Sequence, residues 1–95
     1  MYKVSFSKKA GNLAYRDFKG TLYFTFDLDS SRKPPVVIFD KVPLAAGFKM
    51  IDLSNVSQGE RARMSLACER VRQFLISCGY GVEYLPEINN SDDSY

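Results

Sequence analysis

Four aspartates could in principle gather around a divalent cation. Asp27 and Asp29 alternate along the outward side of one apolar stretch, and Asp40 and Asp52 close two later ones, so a magnesium-dependent nuclease would draw on this set. Aspartate where a strand meets a loop is also an ordinary turn former, because its carboxylate accepts from the backbone two residues on. No lysine follows an acidic pair in the arrangement such an enzyme needs, and Asp17-Phe18-Lys19 is only a partial match. Turn formation is therefore the expected role. Cys68 and Cys78 lie ten residues apart in one helical pattern. That spacing is about 15 Å along a helix axis, beyond the roughly 7 Å between α-carbons that a disulfide allows. The chain has no histidine, the usual base for a cysteine nucleophile and the commonest zinc ligand. Both thiols are expected in the core, and no catalytic residue, metal ligand or cofactor is expected.

Contact chemistry remains. Lys8, Lys9, Lys19, Arg32 and Lys33 fall in turns, where they could meet phosphates. Residues 1 to 50 carry a charge of +5, residues 51 to 86 of zero and residues 87 to 95 of −3, for a net +2. The pI of 8.6 is below the basicity typical of nucleic-acid binders. The run Lys19-Gly20-Thr21-Leu22-Tyr23-Phe24-Thr25-Phe26 is similar to the aromatic strand motif of the RNA-recognition fold. It departs from that motif where stacking occurs: Thr21 replaces an aromatic, Tyr23 is the one outward ring, and no helix separates the first strands. A second binding set lies on the helix. Opposite its core stripe stand Leu66 and Ile76 with Ala62 and Gln73, flanked by Arg63 and Arg70. Arginine beside large aliphatics is the composition that protein interfaces favour.

Those side chains must be carried by a sheet and one helix. Tyr2, Val4 and Phe6 alternate with polar residues, the period of a strand over residues 2 to 7. Gly11 and Asn12 turn the chain into an extended stretch from 13 to 18, and Lys19-Gly20 turns it again. From 21 to 29, Leu22, Phe24, Phe26 and Leu28 are expected to face the core, with Tyr23, Asp27 and Asp29 outward. The polar, twice proline-broken loop 29 to 35 leads into Val36-Val37-Ile38-Phe39, an interior strand. Residues 48 to 51 suggest a short further strand. Ser57-Gln58-Gly59-Glu60 has the form of a capping box and opens a helix that Gly79 closes. At 100° per residue, Met64, Ala67, Cys68, Val71, Phe74, Leu75 and Cys78 fall within about 120° of one another. Residues 82 to 85 return as a last strand. The expected fold is α+β: an antiparallel β-meander with one long helix packed on one face and a short C-terminal strand.

Ninety-five residues, 45% of them apolar, suit one domain over residues 1 to 86. The acidic stretch 87 to 95 is expected to be a mobile tail. No apolar run approaches the length of a bilayer span and the start of the chain alternates in polarity, so a cytoplasmic protein with no membrane partner is expected. The first or last strand would leave an open sheet edge where a second copy could pair, which Lys3 opposes; the oligomeric state stays open.

Tyr15-Arg16-Asp17, Glu60-Arg61-Ala62-Arg63 and Gly79-Tyr80-Gly81-Val82-Glu83, set on this framework, resemble small bacterial immunity-type proteins over residues 12 to 85. Phage-encoded inhibitors of bacterial defences are similar at this level. The resemblance implies a non-catalytic inhibitor that occludes a toxin or defence component, without assigning particular contact residues. The expected partner-binding set is Arg63, Leu66, Arg70, Ile76 and Tyr23. The alternative is a small nucleic-acid-binding domain using Lys8, Lys9, Lys19, Arg32 and Lys33.

Overall fold

The computed structural model describes residues 1 to 85, so the acidic stretch 87 to 95 lies outside the described residues. Strands β1 (Lys3–Ser7), β2 (Asn12–Asp17) and β3 (Gly20–Asp29) form an antiparallel meander. β4 (Val36–Phe39) pairs antiparallel with the far half of β3, Phe26 opposite Phe39 and Asp29 opposite Val36. β5 (Leu44–Ala45) pairs with the near half at Tyr23, and β6 (Lys49–Met50) with β5. The helix α1 (Gln58–Ser77) follows, and β7 (Gly81–Tyr84) joins β4 in parallel, giving the order β1-β2-β3-β4-β7. This is the expected α+β arrangement; the direction of the last strand, which the residue pattern left open, is parallel to β4. β4 is flanked by β3 and β7 and is apolar throughout, with Val37 and Phe39 facing α1 in the core.

The core lies between the sheet and α1. Leu13, Tyr15, Leu22, Phe24, Val37 and Phe39 meet Met64, Ala67, Cys68, Val71 and Leu75, all buried. Two members of the expected core are not in it. Leu28 is 37% exposed, because β3 has lost its β2 neighbour beyond Thr25. Cys78 is exposed because the helix ends there: it is the C-cap, and Gly79 turns with φ 94. The amides of Gly79 and Tyr80 donate to the carbonyls of Ile76 and Leu75, which closes the last turn.

The start of α1 follows half of the expected capping box. Ser57 Oγ accepts from the Glu60 amide at 3.1 Å, whereas the Glu60 carboxylate turns to Arg63 rather than back to the cap. Ser57→Ala should therefore cost about 1 kcal/mol of stability in urea unfolding, with no change in the dependence on denaturant. A loss below about 0.3 kcal/mol would mean that solvent caps the helix equally well.

Candidate protein-binding surface

The turn between β2 and β3 is two residues long, Asp17 pairing with Gly20 across Phe18-Lys19. Asp17 Oδ1 accepts from the Lys19 amide at 2.9 Å, and Gly20 takes φ 127, a value side chains disfavour. Held this way, the turn projects Phe18 into solvent, where it is 87% exposed. Facing it across a groove of about 340 Å³ are Ala62 and Leu66 of α1, with Met1 at one end. Leu66 is 47% exposed, so the groove joins three large apolar side chains under a rim of Lys19 and Arg70.

Asp17 is inside this rim but carries little free charge. Arg63 donates from Nε and Nη2 to both of its oxygens, at 2.8 to 3.2 Å, and from Nη2 to the Gly20 carbonyl at 3.0 Å. The Asp17 carboxyl is held well below the usual carboxylate range, chiefly by these bonds, which outweigh the opposing effect of burial. Arg70 is also anchored. Its guanidinium bonds the Tyr15 hydroxyl at 2.7 Å and lies 4.2 Å over the Tyr2 ring, which itself stacks on Tyr15. The two arginines of the expected binding set thus differ: Arg63 holds the β2–β3 turn onto the helix, while Arg70 lines the groove from a fixed position.

The rest of that set is dispersed. Ile76 is 47% exposed but follows Leu66 by ten residues, about 15 Å along α1. Tyr23 lies on the opposite sheet face and is half-buried, its ring 4.6 Å from that of Phe48. Phe48, at φ 58, and the exposed Met50 form a smaller apolar patch there. Phe18 and Met1 are residues that sequence reasoning left out. The signal for Phe18 was present in Asp17-Phe18-Lys19-Gly20, a turn-forming quartet that leaves an aromatic at its tip.

The basic turn residues divide between the two ends of the sheet. Lys8 and Lys9 in the β1–β2 turn share an end with Arg32 and Lys33, which follow β3, while Lys19 is at the other end. Arg32 bonds Glu83 at 2.6 Å, and Lys8 lies 5.6 Å over the Tyr80 ring. Three of the four aspartates take the turn-forming role: Asp29, Asp40 and Asp52 accept from the amides of Ser31, Val42 and Ser54, while Asp27 lies within β3 opposite Ile38. Among the described residues no three potential metal-ligating side chains gather.

Cys68 and Tyr84 meet near Lys41 at a cavity of about 500 Å³ on the other flank of α1. Burial pushes the Cys68 thiol up and the Tyr84 phenol up to about 12, so both are protonated near neutrality. Among the described residues no helix is long and apolar enough to cross a membrane. Compared with known protein families, curated proteins and solved structures, the chain gives no match.

Proposed function

We propose that the protein is a non-catalytic binding module that occludes a partner protein stoichiometrically, as an immunity-type or anti-defence inhibitor does. The observation that carries this reading is the groove of Phe18, Leu66 and Met1. An aromatic 87% exposed at the tip of a two-residue turn gains nothing for the fold, whereas inserted into a partner it would bury most of its surface. Basic groups at the rim favour a partner that is acidic around an apolar centre. A cytoplasmic setting and a bacterial or phage origin belong to the same proposal.

The test compares the protein with a Phe18→Ala/Leu66→Ala variant in capture from bacterial lysate. One protein is expected to be retained at a one-to-one ratio and to be lost at least tenfold from the variant, with unfolding curves of the two nearly superimposed. Equal retention would remove the groove from the reading. The alternative, nucleic-acid binding through Lys8, Lys9, Lys19, Arg32 and Lys33, has less support, since Arg32 is bonded to Glu83 and Lys19 is remote from the others. It predicts an affinity falling steeply with salt, as displaced counterions require.

A further inference from the structure

Among the described residues β1 pairs with β2 alone, so it forms a sheet edge and every second residue directs its amide and carbonyl away from the sheet. Beside that edge a cleft of about 570 Å³ opens between β1 and α1, lined by Tyr2, Lys3, Val4, Gln73, Phe74 and Ser77. Its apolar wall is preformed, because the Tyr2 ring is held between Tyr15 and the Arg70 guanidinium and Val4 and Phe74 pack on the core. On the other face of the same strand Lys3 lies directly opposite Arg16. Like charges at opposed positions of a sheet repel. The depression around that pair is otherwise lined by Ser5, Ala14, Thr21 and Tyr23, none of them acidic, and the acid on the pair's other side, Asp17, is already held by Arg63. Lys8 and Lys9 extend the positive charge past the end of β1.

We infer that the β1 edge takes an extended acidic segment of another protein as an added strand, its apolar side chains entering the Tyr2–Val4–Phe74 cleft and its carboxylates lying along Lys3 and Arg16. The two faces of a strand alternate with period two, so the segment reads as apolar and acidic residues in alternation over five or six positions. A second copy of this chain fits less well, since antiparallel pairing of two β1 edges brings Lys3 of each toward Lys8 and Lys9 of the other. Nucleic acid would use the charge but neither the main-chain edge nor the cleft. The inference rests on the reading that the chain binds a protein, and adds the form of what it binds.

The test is selection from a random octapeptide display library, followed by amide exchange on the protein with the consensus peptide bound. The consensus should alternate apolar residues with Asp or Glu, and its binding should slow exchange within Lys3–Ser7. Lys3→Glu makes an ion pair with Arg16 and so keeps the fold; it should weaken that peptide at least tenfold, and a peptide with lysines for the acids should then bind better. The Phe18→Ala/Leu66→Ala variant should bind the peptide unchanged, so failure of the groove and failure of the edge are read separately. No enrichment, a consensus without the alternation, or protection elsewhere would overturn the inference. So would concentration-dependent dimers that protect β1, or protection in the protein alone that vanishes when residues 87 to 95 are removed.

Discussion

Phe39→Ala is expected to lower the free energy of unfolding by about 4 kcal/mol, a large part of the roughly 5–14 kcal/mol usual for a chain this size. Phe39 is fully buried in the strand between β3 and β7, and its ring meets Phe24 edge-on at 5.7 Å and Tyr84 at 5.1 Å. Alanine there removes a benzyl group and leaves a cavity that two strands and a helix cannot all close on. Phe39→Leu, which keeps most of the volume, should cost about 1.5 kcal/mol. Urea unfolding followed by circular dichroism separates the two. A loss below about 2 kcal/mol for alanine would mean that β7 closes onto β4 without the ring and that the parallel pair carries less of the fold than its burial implies.

Arg63→Ala should cost about 3 kcal/mol, because Asp17 would be left without its partner with its side chain only 8% exposed and that of Arg63 only 12%. The pH dependence identifies the cause. Asp17 is ionised far into acid in the folded chain but near pH 4 when unfolded, so the pair's contribution is complete above about pH 5. As pH falls below about 4 the unfolded chain takes up a proton that the folded chain refuses, and the contribution is lost through the folded pKa. The gap between the protein and Arg63→Ala should accordingly be flat from pH 8 to 5 and narrow in acid. Asp29 and Asp52, lowered mainly by the hydroxyls of Ser31 and Ser54, act in the same direction in both proteins and cancel from the gap. A gap that stays constant to pH 2 would reject the ion pair as its origin. Binding through the groove should weaken as well, since Arg63 holds against α1 the turn that carries Phe18.

Pairing explains why these effects differ from what helical spacing alone suggests. Placed by angle, Arg63 and Arg70 fall on the same side of Leu66 and read as two open charges. In the fold, Arg63 reaches Asp17, 46 residues away, and Arg70 reaches Tyr15, 55 residues away. The angle on a helix fixes a direction; whether something already waits there depends on a hairpin distant in the chain. Phe18 is the converse case. Its apolar character suggested the end of a strand, yet the Asp17 carboxylate and Gly20 tighten the turn one residue earlier and put the ring outside.

The residue pattern by itself determined the α+β class, the three-stranded meander, the interior strand 36 to 39 and both ends of the helix. Each of these is written in neighbours: alternation along a strand, a capping serine, a glycine able to turn left-handed. The tertiary structure alone decided that β7 joins β4 in parallel, that Arg63 is committed to Asp17, and that Phe18, Leu66 and Met1 share a groove. These depend on how far apart in the chain two surfaces may lie and still meet. Local periodicity carries no information about that distance, because it is set by the packing of α1 across the sheet.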